Sequence, residues 1–317
     1  TTHLMKLKNV GNTCYANSVI QSLLNSTCVA NYLTEINRQV KPKQLPKDIQ
    51  ESPLMLLNKI FQTKSAAKQR DVQINPKEFI ESVVKQSPDF KIGIQHDAHE
   101  FFVTLLASFD QTVVQINQQF NLQLDQFSQL FNSQSVTSQQ CITCGTISQT
   151  KEDFNCFYLS IKERQSLNSR LKQTQQSEYL QGEGKRFCKN CRVPQEMKIQ
   201  CKYTKIPSIV VFQLQRFEFS RETNKLTKLH QHIPFPSAID INSKHYHLRS
   251  IIVHIGASLS GGHFIAVMFI HEKWILASDD SLRILDTHQV EDYFAVGEGK
   301  DLLSPSAYLL FYEESTT

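Results

Sequence analysis

The sequence predicts an α+β fold, with helices gathered early in the chain and an antiparallel sheet in its last third. Three observations carry that prediction. Up to about residue 130, apolar residues recur at three-to-four spacing. In the last third they run in short β-branched and aromatic segments, and no internal repeat is visible. With 317 residues, 40% hydrophobic and 20% charged, the chain suffices for one large domain or two modest ones. No apolar run is long enough to cross a membrane and no signal-peptide pattern stands at the N-terminus. The first residue is Thr1 rather than Met, as in a processed or partial chain. Eight cysteines over this length form no secreted disulfide pattern, so a reducing cytoplasmic or nuclear setting fits best. The net charge of +4 is mild and no Lys/Arg block stands out, so nucleic acid is not suggested.

The first element is the stretch LKNVGNTCYANSVIQSLLNS, Leu7 to Ser26, which opens with turn and cap residues at Gly11, Asn12 and Thr13. Val19, Ile20, Leu23 and Leu24 then recur as one buried helix face, which puts Cys14 in the first turn. Unpaired N–H groups and the helix dipole favour negative charge there and lower a thiol's pKa. Cys14 is therefore either a nucleophile or a small apolar residue at a helix start. Further helices are predicted over SPLMLLNKIFQT, NPKEFIESVVKQ and DAHEFFVTLLASFDQT, each with a periodic apolar face. The Gln-, Asn- and Ser-rich stretch around 115–140 reads as ordered, because Phe120, Leu122, Leu124, Phe127, Leu130 and Phe131 interrupt it.

From about 136 to 220 strand-like segments take over, including FYLSI and IVVFQLQRFEF. In the second, Val210, Phe212 and Leu214 alternate with Val211, Gln213 and Gln215 as in a half-buried strand. LRSIIVHI, HFIAVMFI, KWILAS and AYLLFYE complete the sheet. Within this region CITC (Cys141, Cys144) and CKNC (Cys188, Cys191) present four thiolates suited to a closed tetrahedral structural zinc. Their long separation puts the knuckles at the tips of two hairpins joined by an insertion. A redox pair is the alternative, but it wants a βαβ setting. Cys28, Cys156 and Cys201 have no partner at metal spacing and read as buried thiols.

In GIQHDAHEFFVTLLASF, Asp97 and Glu100 stand at the start of an apolar-periodic helix. D-x-x-E is close to a capping box, and two carboxylates at one helix start also suit a basic peptide; both readings stay open. His96 and His99 complete no metal motif together and read as surface or supporting groups. In SLSGGHFIAVMF, Gly261 and Gly262 make a turn and His263 opens a strand. Trp274 begins WILASDDSLRIL, a second strand ending at Ser278, Asp279 and Asp280. A histidine on one strand with a polar residue on its neighbour is what a Cys–His nucleophile needs. The ring accepts the thiol proton, and the third group fixes its tautomer and orientation.

GNTCYANSVIQSLL, QHDAHEF, the paired CxxC knuckles, GGHFIAVMF and AYLLFYE resemble the ubiquitin-specific protease family of deubiquitinating cysteine proteases, in family order and over nearly the whole chain. The chain is most similar to compact members with little beyond the catalytic domain. The resemblance implies one domain with a papain-like core shaped as a right hand. Its parts are a helical thumb over about 1–130, β fingers with the zinc knuckles over about 131–220, and a β-rich palm over about 221–317 that shares strands with the fingers. It implies hydrolysis of the peptide or isopeptide bond after the C-terminal glycine of ubiquitin. The implied partners are ubiquitin and ubiquitinated proteins, without nucleic acid or membrane, and some compact members rely on a β-propeller partner. The implied cofactor is structural zinc on the four knuckle cysteines.

Residue by residue, Cys14 matches the family nucleophile, His263 the general base and Asn9 the side-chain donor to the oxyanion. Asp97 and Glu100 match positions that meet the arginine-containing ubiquitin tail, and Gly261, Gly262 and Tyr308 match the neighbourhood of the diglycine channel. The chain departs from the pattern after Trp274, where Ser278 stands in place of the usual aspartate or asparagine, followed by Asp279 and Asp280. Either Ser278 orients His263 or Asp279 takes that role. A serine carries no charge to stabilise an imidazolium, which keeps a weak or inactive ubiquitin-binding scaffold as the alternative. His96 replaces the second glutamine of QQDAHEF and Gln215 the usual lysine of LKRF; neither touches the chemistry, and both bear on substrate contacts.

Overall fold

The computed structural model describes residues 4–41, 44–67, 71–161, 166–220, 224–229, 231, 233–258, 261–291 and 305–315. The first half is helical. Strand β1 (Met5–Leu7) leads into α1 (Cys14–Leu24), α2 (Thr27–Gln39), the single turn α3 (Lys47–Gln50) and α4 (Pro53–Ala66). Strand β2 (Val72–Ile74) pairs in parallel with β1, and α5 (Lys77–Gln86) and the long α6 (Ala98–Phe120) complete the layer. After them come β3 (Ser133–Cys141), β4 (Ile147–Phe154), β5 (Phe157–Ser160), α7 (Leu167–Thr174) and β6 (Glu178–Leu180). The short hairpin β7 (Arg186–Cys188) and β8 (Val193–Gln195) precedes β9 (Met197–Lys205), β10 (Ile209–Gln215) and the hairpin β11 (Phe217–Ser220) and β12 (Lys225–Lys228). The chain closes with β13 (Ala238–Ile241), β14 (Lys244–Ser258), β15 (Gly261–Ile270), β16 (Lys273–Ser278), β17 (Ser281–Leu285), α8 (Thr287–Glu291) and β18 (Ser306–Glu314). Among the described residues, no helix is long and apolar enough to cross a membrane.

Two sheets organise these strands. The larger runs β17-β16-β15-β14-β18-β10-β5, with β13 on β14; the smaller runs β4-β3-β9-β6. Pairing is antiparallel except for β5 with β10 and β1 with β2. The stretch 131–220 therefore feeds both sheets. β10 is not half-buried, as its alternation suggested, but buried on both faces over most of its length. Ile209 and Val211 join a core shared with the helices, whereas Val210, Phe212 and Leu214 join a second core with Leu167 and Leu171 of α7 and with Ile233 and Phe235.

α1 departs from its sequence reading in the same direction. It is buried along its whole length, because it lies against α6 on one side and β14 and β15 on another. Most of its polar side-chain atoms are paired, as burial requires, Asn17 Oδ1 being an exception. Gln21 Nε2 donates to Met5 O at 2.6 Å, and Ser22 Oγ lies 2.6 Å from Ser250 Oγ on β14. This wedge sets the start of α1, and so Cys14, against the beginning of β15.

Candidate active site

Cys14 opens α1 with Thr13 at its N-cap, and only 3% of it is exposed. Its sulfur accepts the Phe264 N–H at 3.5 Å, so β15 meets the helix one residue beyond His263. Burial raises the thiol above its usual range, and the Asp279 charge adds to that effect. The N–H groups of Phe264, Tyr15 and Cys14 lower it but do not prevail. The helix start makes the contribution expected from sequence, and burial makes the larger opposing one. Burial thus favours the neutral thiol.

His263 Nε2 lies 2.8 Å from Ser278 Oγ at the end of β16. Asp279 sits in the turn after it, with φ of +52°, and its carboxylate points back toward the helix layer. Oδ2 accepts from Asn9 Nδ2 at 2.9 Å and Oδ1 from Asn17 Nδ2 at 2.8 Å, while Asp279 O accepts the Leu7 N–H at 3.1 Å. Asn9 Oδ1 in turn accepts the Gly11 and Thr13 N–H groups at 3.0 and 3.2 Å. Both ends of the Asn9 amide are thereby fixed. One of its two N–H bonds has no acceptor among the described residues. Asp279 thus bonds two asparagines near the cysteine, and Ser278 is the group that reaches the histidine.

Asp97 is the N-cap of α6. Its Oδ1 accepts the N–H groups of His99 and Glu100 at 2.9 and 3.0 Å, and its Oδ2 accepts the Tyr308 hydroxyl at 2.6 Å. Tyr308 is buried and accepts from Gln213 Nε2 at 2.6 Å; burial, followed by the Asp97 charge, holds its phenol far above the usual range. The carboxylate of Asp97 is thus engaged within the chain, whereas Glu100 is exposed and unpaired among the described residues. His99 is buried edge-on to Tyr158, and burial lowers its pKa. His96 packs between Tyr15 and Phe90 and accepts the Lys91 N–H at 2.9 Å. Cys156 is buried, but Cys28 and Cys201 are only half-buried.

Several residues at the site escaped the sequence reading. Gln95 bonds Gly262, Asn17 bonds Asp279, and His254 lies beneath Gly262. A Cβ on Gly262 would stand 2.5 Å from His254 Nε2, so glycine is required there. His254 is fully buried, with both ring nitrogens unpartnered among the described residues. Burial, then Lys228 and His263, push its pKa down to about 3, which keeps it neutral. Gln95 and Asn17 lie inside QHDAHEF and GNTCYANS, and a polar residue within an apolar helix was the available signal for Asn17.

At the far end of the smaller sheet, Cys141 and Cys144 span the β3–β4 turn and Cys188 and Cys191 the β7–β8 turn. The four sulfurs lie within 4.8 Å of one another, with Cys144 to Cys188 at 3.6 Å and Cys141 to Cys191 at 4.0 Å. Sulfurs about 2.3 Å from one ion at tetrahedral angles are separated by about 3.8 Å. The cluster fits a metal ion.

A cysteine at a helix start, packed against the strand that carries a histidine which a serine of the next strand bonds, is the arrangement of a papain-like thiol hydrolase. The family model for ubiquitin carboxyl-terminal hydrolase matches residues 5–312, and the chain belongs to that family. Ubiquitin carboxyl-terminal hydrolase 12 of Salmo salar is 27% identical over 340 residues, covering 98% of this chain and 90% of the relative. Ubiquitin carboxyl-terminal hydrolase 4 of Arabidopsis thaliana is 26% identical over 344 residues, covering 98% and 93%. Among solved structures, the SAGA DUB module containing Ubp8 and bound to monoubiquitin is alike at a TM-score of 0.80, with 22% identity over 99% of this chain and 70% of that one. The same module bound to ubiquitin aldehyde gives 0.76, again at 22% identity over 99% and 70%. These two likenesses establish the α+β fold.

Proposed function

We propose that the chain hydrolyses the peptide or isopeptide bond after the C-terminal glycine of ubiquitin, with Cys14 as nucleophile. The observation that carries this reading is the convergence of Cys14, the His263–Ser278 pair and the Asn9–Asp279 pair at the meeting of α1, β15 and β16. Membership of the family supports it. His263 takes the thiol proton as the sulfur attacks the carbonyl carbon. The oxyanion that forms is met by the second N–H of Asn9 and by the Cys14 N–H. Collapse expels the amine, which takes its proton from the imidazolium and leaves a thioester. His263 then deprotonates a water that releases ubiquitin and the free thiol. Hydrolysis of a ubiquitin C-terminal fluorophore by the single chain tests the reading, and a protein that binds ubiquitin without turnover is the scaffold alternative.

The helical layer, the smaller sheet and the larger sheet take the places of thumb, fingers and palm in this proposal. An extended ubiquitin tail runs between the helical layer and the larger sheet, past Gly261, Gly262 and the Asp97–Tyr308 bond. An activating β-propeller partner has family analogy alone behind it, and a cytoplasmic or nuclear setting rests on the free cysteines.

Glu100→Ala is expected to raise KM several-fold at unchanged thermal stability, because an exposed carboxylate meeting a cationic tail adds binding common to ground and transition states. Asp97→Ala is expected to lower stability, by about 1 kcal/mol for the lost cap and about 1–3 kcal/mol more for the stranded Tyr308 hydroxyl. Thermal unfolding measured beside steady-state kinetics separates the two. An Asp97→Ala protein as stable as wild type contradicts the capping role.

Zinc is the metal proposed for the four cysteines, where it ties the two hairpin tips together. One zinc per chain is expected by elemental analysis of freshly purified protein. Its removal by chelator is expected to weaken ubiquitin binding without altering alkylation of Cys14. Protein purified without chelator and lacking zinc contradicts this.

A further inference from the structure

We propose that Gln95 is a positioning residue that sets the start of β15, and with it His263, against Cys14. The inference rests on the proposed role of His263. Along a strand the backbone N–H and C=O groups of alternate residues share an edge. On one edge of β15 these belong to Gly262, Phe264 and Ala266. Ala266 is where pairing with β16 begins, opposite Ala277. Beyond it that edge has no strand neighbour among the described residues. Phe264 N–H meets the Cys14 sulfur instead, and Gly262 meets Gln95. Gln95 Nε2 donates to Gly262 O at 2.8 Å, and Gly262 N–H donates to Gln95 Oε1 at 2.8 Å. One side-chain amide thus serves as donor and acceptor, as an antiparallel strand does.

The opposite edge needs this support. Pairing of β15 with β14 is regular through Ile255–His263 and then shifts before Ser258–Gly261, so the ladder is irregular at Gly262 itself. His254 closes off the space where a side chain at Gly262 would lie. Gln95 stands two residues before Asp97, whose cap and Tyr308 bond tie it to α6 and β18. Gly262 is therefore held from the helical layer by a short, anchored segment, one residue ahead of the histidine.

The test is steady-state turnover of a ubiquitin C-terminal fluorophore by wild type, Gln95→Glu and Gln95→Ala between pH 5.5 and 8.5. At pH 8 the ionised carboxylate of the Gln95→Glu variant keeps the acceptor for Gly262 N–H but faces Gly262 O without a donor. Both variants are expected to lose about tenfold in kcat with KM within twofold, as a misplaced base gives. As pH falls, the carboxyl protonates and regains an O–H for Gly262 O. The ratio of Gln95→Glu to wild-type kcat is then expected to climb, while the Gln95→Ala ratio stays flat. A purely structural role does not produce that recovery. Wild-type kcat in both variants, or raised KM at unchanged kcat, overturns the inference. If Gln95→Glu does not fold, the kcat and KM of Gln95→Ala decide alone. Inactive wild type instead overturns the hydrolase reading, and the inference with it.

Discussion

Cys14→Ala is expected to abolish turnover of ubiquitin substrates, by roughly 10⁴-fold or more, because the covalent route is lost as a whole. Ubiquitin binding is expected to survive, since the thiol is 3% exposed and offers little contact area. Binding measured by fluorescence polarisation, beside hydrolysis of a ubiquitin–fluorophore, checks both halves. The raised thiol pKa adds a sign. A smaller thiolate fraction at neutral pH means slow alkylation by a small neutral electrophile, accelerating as pH rises past the usual thiol range. Fast alkylation at pH 7 contradicts a neutral resting thiol. Turnover near the wild-type rate in Cys14→Ala contradicts the mechanism.

Asp279→Ala is expected to cost more than Ser278→Ala, although Ser278 is the residue that reaches the histidine. Without Asp279 neither Asn9 nor Asn17 keeps its carboxylate partner. A displaced oxyanion donor lowers kcat by about 10²–10³, with KM little changed. Ser278→Ala is expected to lower kcat by roughly tenfold or more, because a neutral orienter fixes geometry without stabilising the imidazolium by charge. Ser278→Asp restores a charge and is expected to keep or raise activity. Asp279 also carries an opposite signature. Its charge raises the Cys14 pKa, so Asp279→Ala is expected to speed alkylation of the thiol while slowing hydrolysis. Full activity in Asp279→Ala beside an inactive Ser278→Ala would assign the whole role to Ser278.

The helices over Pro53–Ala66, Lys77–Gln86 and Ala98–Phe120 and the strands β14, β15, β16 and β18 were legible, because their periodicity is local. Burial of β10 on both faces and of α1 throughout was not. Each depends on layers supplied by distant parts of the chain. The site divides in the same way. Cys14, His263 and the four knuckle cysteines stand in short motifs whose residue types announce their chemistry. The Asn9–Asp279 bond spans 270 positions and the Gln95–Gly262 bond 167, and neither leaves a periodic trace. The direction of the Cys14 shift failed for a related reason. The favourable helix start is read from neighbours, but the burial that outweighs it comes partly from β15.

The most direct measurement is reaction of the purified chain with ubiquitin carrying a C-terminal electrophile, followed by intact-mass and peptide mass spectrometry. Wild type is expected to gain the mass of one modified ubiquitin, attached at Cys14. Cys14→Ala is expected to gain none while still binding unmodified ubiquitin. Attachment at another cysteine, or no adduct with folded wild type, would contradict Cys14 as the nucleophile of a ubiquitin hydrolase.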